Sequence, residues 1–114
     1  MESLTKEDII EINKKVGEKG TVINDANLEF AIHKLGRNTV LGKKAAILLC
    51  DLITSHVFLD GNKRTAFVST VALLEINGKK LKIKDGDALD LVYGIANGKY
   101  NIPEAEHILG KWIE

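Results

Sequence analysis

The residues best equipped for chemistry lie together in one run, His56-Val57-Phe58-Leu59-Asp60-Gly61-Asn62-Lys63-Arg64-Thr65. His56 is the candidate general base, because an imidazole titrates near neutral pH without special help. Asp60 offers a hard carboxylate oxygen of the kind that holds Mg²⁺ together with substrate phosphates. A helix starting near Asn62 would turn its free N–H groups and positive dipole end toward the run, which makes a phosphate site. Gly61 lets the backbone approach an anion with no side chain in the way. Asn62 either hydrogen-bonds to an oxyanion or fixes the loop. Lys63 and Arg64 place two cations at a helix start, where acidic residues are normally favoured. An arriving anion removes that conflict, so the conflict itself points to function. These parts describe phosphoryl or nucleotidyl transfer, with His56 taking a proton from the attacking hydroxyl.

Two apolar segments must position this run. From Lys43 to Ser55, residues Ala45, Ala46, Ile47, Leu48, Leu49, Leu52 and Ile53 cover nearly every direction around a helix. From Asn62 to Asn77, residues Ala66, Phe67, Val68, Val71, Ala72, Leu73, Leu74 and Ile76 do the same. Helices apolar all round sit in the middle of a fold, so the polar run is the bend of a buried helical pair. A simpler alternative is a plain helix-helix turn, with Asp60 as N-cap and Lys63 and Arg64 on a solvated face. It leaves His56, Phe58 and Asn62 unexplained.

Helical spacing recurs on both sides of this pair. Ile9, Ile12 and Val16 line a first helix, with Thr5 as N-cap and Gly17 or Gly20 near its end. Leu28, Ala31, Ile32 and Leu35 mark a second, capped by Asp25 and stopped by Gly36. The connector Gly20 to Asn24 reads as extended. Residues 79–84 alternate lysine with apolar residues, as a short edge strand or extended link does. Asp85 or Asp87 opens a helix carrying Ala88, Val92, Ile95 and Ala96. Pro103 suits the first turn of a last helix with the stripe Ala105, Ile108, Leu109 and Trp112. The expected fold is an all-α, single-domain bundle of about six helices spanning 1–114.

Composition narrows the function classes. The chain has 114 residues, enough for one core, with 16 basic and 16 acidic side chains and no net charge. No global field draws it to nucleic acid or to an anionic membrane, so any anion site is local. The lysines of 79–84 lack aromatic stacking partners and read as a solvated edge. Cys50, the one cysteine, sits among leucines as a buried thiol. His33 and His107 read as surface residues of amphipathic helices. No apolar stretch reaches membrane-spanning length, and Met1-Glu2-Ser3-Leu4 carries no signal-peptide pattern, so a cytoplasmic protein is expected.

The pattern His-x-Phe-x-Asp-Gly-Asn-Lys-Arg-Thr over residues 56–65 resembles the signature of the Fic/Doc superfamily, and within it the Doc-like (death-on-curing) branch. The resemblance implies that His56 deprotonates a target hydroxyl and that Asp60 holds the metal. It places Gly61, Asn62, Lys63, Arg64 and Thr65 around the phosphate, with Phe58 pinning the loop into the core. It implies Mg²⁺ and ATP as cofactor and co-substrate, and a flap near the connector 20–24. AMP-transferring members usually carry glycine where Lys63 stands and a second arginine where Phe67 stands. Both changes are shared with Doc-like proteins, which transfer the terminal phosphate of ATP to a Ser or Thr hydroxyl, with elongation factor Tu as the known target class. AMP transfer, or an inactive binding module, are the alternatives. Self-inhibited members carry Ser or Thr, three residues, Glu, then Gly or Asn. Here Ser3 to Asp8 fails at the last position, so control by a separate small antitoxin is expected.

Overall fold

Thr5 opens the first of six helices in the computed structural model, which describes residues 1–114. Helix α1 spans Lys6–Lys15. Thr5 Oγ1 accepts from the Asp8 N–H, and the Asp8 carboxylate accepts from the Thr5 N–H, at 3.1 and 2.8 Å. Such a reciprocal cap satisfies two orphan donors. Helix α2 spans Asp25–Leu35. Its cap is Asn24 and not Asp25, because the Asn24 side chain reaches the Asn27 N–H at 3.1 Å. Asp25 becomes the first helical residue and pairs with Lys6, tying α2 to α1.

Helix α3 (Leu41–Thr54) is the centre of the molecule and packs against α2, α4, α5 and α6. It buries Ala45 through Cys50 without a break, then Leu52 and Ile53. Burial pushes the Cys50 thiol up to about 11, with the neighbouring Asp51 carboxylate adding to the effect. The thiolate is therefore absent at neutral pH, and Cys50 acts as a small apolar residue. Asp51 itself pairs with Lys34 of α2 at 2.8 Å.

Helix α4 (Asn62–Ile76) departs from the expected all-round burial. Its buried set includes the polar Thr65, Ser69 and Thr70, while Val68 and Ile76 are exposed and Phe67 is half-buried. One face packs on α3, and the face carrying Phe67 and Val68 lines a groove toward α5. Thr70 Oγ1 donates to the Ala66 carbonyl at 2.8 Å, which makes its burial tolerable.

Helix α5 (Asp85–Ala96) and helix α6 (Ile102–Gly110) complete the fold. Asn101 and Glu104 form a second reciprocal cap, with Pro103 in the first turn of α6. Trp112 lies past the end of α6 and is half-buried, so it is not part of the helical stripe. Instead it belongs to a tail that pairs with the extended segment 79–84. A single antiparallel bridge joins Leu81 to Ile113, and the Lys82 N–H donates to the Trp112 carbonyl at 2.7 Å. Twenty-two buried apolar residues form one cluster, drawn from all six helices. The fold is all-α, as the spacing requires. No helix is long and apolar enough to cross a membrane.

Candidate active site at the bend between α3 and α4

Ser55 ends α3, and the chain then turns through His56 with a φ of +47°. This is the only non-glycine residue in the left-handed region, a conformation that costs an L-residue about 1–2 kcal/mol. Both neighbours are tied down. The Ser55 carbonyl accepts from Asn27 Nδ2 at 2.8 Å, and the Val57 carbonyl accepts from the Ile23 and Asn24 N–H groups at 2.8 and 3.1 Å. Val57 is buried, while the His56 ring is exposed and makes no hydrogen bond within the chain. The bend thus holds the backbone firmly and leaves the imidazole free for an outside partner.

Phe58 anchors the next turn. Its ring is 1% exposed, and its backbone N–H and carbonyl bond to Oδ1 and Nδ2 of Asn62, both at 2.9 Å. Of the two roles open to Asn62, the structure shows loop fixing. Its side-chain amide is committed on both sides, and its backbone N–H remains for an anion. The connector 20–24, expected to be extended throughout, is left-handed at Gly20 (φ +72°) and bent at Ile23, and it makes one antiparallel bridge between Val22 and Phe58. The Leu59 N–H donates to the Thr21 carbonyl at 3.0 Å.

Asp60 is exposed and its carboxylate has no partner in the chain. It is not the cap of α4. Gly61 holds that position with a φ of +76°, and no side chain caps the helix. The N–H groups of Asn62, Lys63 and Arg64 meet no protein acceptor, and the helix begins with the Thr65 N–H donating to the Gly61 carbonyl at 2.9 Å. An uncapped start is not enough by itself, because α3 also opens uncapped on Lys43 and Lys44. What sets α4 apart is the free carboxylate and the free imidazole on the residues just before it.

Three expectations are corrected here. Gly61 does not leave an empty approach, since a Cβ there would fall 2.5 Å from Glu18 Cγ. The space that glycine provides holds the stem of Glu18. Thr65 is fully buried, and its hydroxyl accepts from Asn13 Nδ2 at 2.9 Å, so its side chain serves packing and cannot meet a phosphate. Lys63 does not lie in the loop. Its Nζ stands 5.6 Å from the centroid of the Tyr93 ring, on α5, a cation–π distance.

Arg64 projects to solvent but is engaged. Its guanidinium donates to the Val16 carbonyl and to Glu18 Oε2, each at 3.0 Å. Glu18 therefore touches Gly61 and neutralises Arg64 at once, a role with no signal in the sequence. An incoming phosphate must share Arg64 with this carboxylate or displace it. Because Arg64 is largely exposed, the pair contributes roughly 0.2–1 kcal/mol. Glu18→Gln is accordingly expected to change stability by less than about 1 kcal/mol, read by urea titration.

The bend does not gather every candidate around one cavity. Asp60 borders a recess of about 100 Å³ beneath the connector, with Asn13, Glu18, Lys19, Thr21 and Leu59. Lys63 and Arg64 border a larger groove of about 490 Å³ between α4 and α5, walled by Phe67, Val68, Leu89 and Val92. His56 lines neither. Glu18 stands between the two spaces, on the recess side with Asp60 and bonded to Arg64 on the groove side.

A lone free carboxylate suits Mg²⁺, which keeps several waters and binds through one or two carboxylates plus substrate phosphates. No group of three or more His, Cys, Asp or Glu side chains gathers at the bend or anywhere else, so Asp60 stands as a single carboxylate. Asp60→Ala removes this free carboxylate. Since its carboxylate caps nothing, stability should change by less than about 0.5 kcal/mol in a urea titration.

The Fic/DOC family model matches residues 3–74, well over half of the chain, from α1 through most of α4. The chain belongs to the Fic/DOC family. A comparison with curated proteins found no match. Helices α5 and α6, including the Tyr93 side of the groove, lie outside the matched residues.

Proposed function

We propose that this chain is a Doc-like phosphotransferase that moves the γ-phosphate of Mg-ATP to a Ser or Thr hydroxyl of a protein target. The observation that carries the reading is the start of α4, where three backbone N–H groups lack acceptors between the free Asp60 carboxylate and the cations Lys63 and Arg64. Such a helix start binds an anion through amides and dipole together. The adjoining groove has a volume in the range of small-molecule sites and apolar walls for a nucleoside.

In this reading His56 takes the proton of the target hydroxyl as its oxygen forms a bond to the γ-phosphorus. The bond from that phosphorus to the ADP oxygen breaks, and ADP leaves with the electron pair. Mg²⁺, held through Asp60, would supply charge neutralisation on the polyphosphate. Arg64 and the free amides stabilise charge on the transferring group.

Transfer of phosphate is favoured over transfer of AMP by Phe67, whose ring walls the groove where a second arginine would otherwise stand. The target class that accompanies the Doc-like reading is elongation factor Tu, in the cytoplasm, with a small antitoxin as the controlling partner. Incubation with ATP labelled separately at the α and γ phosphates tests the reaction. Retained γ label on the target supports the proposal, and retained α label makes the chain an AMP transferase. Wild-type protein and His56→Ala giving equal labelling would leave only a binding module.

A further inference from the structure

Asn13 sits on α1, far from the bend in sequence, yet its side chain reaches three separate segments of the site. It is 1% exposed. Its Nδ2 donates to the Asp60 carbonyl at 3.0 Å and to Thr65 Oγ1 at 2.9 Å. Its Oδ1 accepts from the Gly20 N–H at 2.8 Å. Chemistry fixes the orientation of this amide, because the Gly20 N–H can only donate and the Asp60 carbonyl can only accept. One side chain therefore joins the start of the connector, the loop at Asp60 and the first turn of α4.

The loop has other ties, but none does this. Asn62 clips itself to Phe58, which sets the internal shape of residues 58–62 without relating them to α1. The connector bonds to Val57 and Leu59, upstream of Asp60. The Asp60 carbonyl has no hydrogen-bond partner except Asn13. The same Nδ2 lies 3.4 Å from where a Gly61 Cβ would stand, so it braces the turn that starts α4. A buried polar group with its bonds satisfied is a rigid support, and one left unsatisfied is costly.

We infer that Asn13 is a positioning residue of the transfer site, which acts by holding the Asp60 backbone. Through that bond it sets the direction of the Asp60 carboxylate and of the unpaired amides that follow. The inference rests on the phosphotransferase reading above. Asn13 touches no substrate and acts only through Asp60 and Gly61.

Asn13→Asp is the closest probe, since it keeps an acceptor for Gly20 and turns an oxygen toward the Asp60 carbonyl in place of a donor. Asn13→Ser buries no charge and serves if Asn13→Asp does not fold, with the same expectations at Thr65 and for kcat. Thr70→Val is the control, because Thr70 is fully buried on α4 and its hydroxyl bonds to the Ala66 carbonyl, away from the loop. On the full chain, melting temperature, amide hydrogen exchange and steady-state kinetics with Mg-ATP are measured for each variant. For the Asn13 variants, exchange at Thr65 is expected to be at least about tenfold faster, and at Gly20 as well in Asn13→Ser, which withdraws the acceptor that Asn13→Asp keeps. Their kcat is expected to fall at least about tenfold while KM for ATP stays within about threefold, since Lys63 and Arg64 remain. Thr70→Val should lose thermal stability yet keep kcat within about twofold of wild type.

A folded Asn13 variant with wild-type kcat overturns the inference, and so does an equal loss of kcat in Thr70→Val at a matched melting temperature. If wild type transfers nothing, the phosphotransferase reading fails by itself. The exchange data then decide the positioning claim alone: unchanged exchange at Thr65 overturns it, and faster exchange there upholds it.

Discussion

Replacing His56 by alanine is expected to lower phosphate transfer by about a hundredfold or more while the protein stays folded. The ring is exposed and bonds to nothing in the chain, so its loss removes a base and almost no packing. His56→Gly separates the two roles of the position further. The backbone there has a φ of +47°, which glycine adopts freely and an L-residue adopts at about 1–2 kcal/mol. Glycine also gives the unfolded chain more freedom, which returns about 0.5–1 kcal/mol of that gain. The glycine variant is therefore expected to be more stable than wild type by roughly 0.5–1 kcal/mol and just as inactive as alanine. Urea unfolding and a γ-label transfer assay on the same preparations check both halves. A glycine variant that retains activity would remove His56 from the mechanism. One that unfolds more easily would show that the ring is a packing element.

The strain at His56 shows why parts of this site were legible in the sequence and others were not. Helices were readable because their signals are local: Thr5 three residues before Asp8, Pro103 just after the Asn101 cap, and apolar residues at helical spacing. The cap of α2 was misplaced by one residue, since Asn24 and Asp25 both can cap and spacing does not choose between them. Phe67 and Val68 read as core because they are apolar. Which apolar face goes uncovered depends on where α5 comes to rest, and no local pattern carries that. The run from His56 to Arg64 was legible as a unit, because its residue types conflict with an ordinary helix start. Its supports were not. Asn13 meets Thr65 across 52 residues, and Glu18 meets Arg64 across 46. Both read as ordinary polar residues near the end of an amphipathic helix until the chain is folded.

The loop itself has an apolar anchor, Phe58, and its removal should produce the largest loss of stability. Phe58→Ala is expected to destabilise the protein by about 3–5 kcal/mol, against a total of about 5–15 kcal/mol for a domain of ordinary stability. Phe58 is among the largest fully buried side chains, and its ring belongs to the main core cluster. Its truncation therefore adds a cavity to the lost transfer energy. The same residue carries the bond pair to Asn62 and the bridge to Val22, so its backbone can shift only by straining both. Phe58→Leu keeps most of the volume and should cost roughly 1 kcal/mol. Asn62→Ala leaves the ring buried but removes the partner of the Phe58 N–H and carbonyl, which are part-buried so that water partly replaces it, at about 1–3 kcal/mol in all. Urea midpoints order the three variants: alanine at 58 lowest, then alanine at 62, then leucine at 58. Transfer rates should follow a different order, because leucine at 58 preserves the clip that shapes residues 58–62 while alanine at 62 destroys it. Asn62→Ala with near wild-type kcat would mean that the loop holds its geometry without the clip, through the Phe58 ring and the Asn13 bond to Asp60.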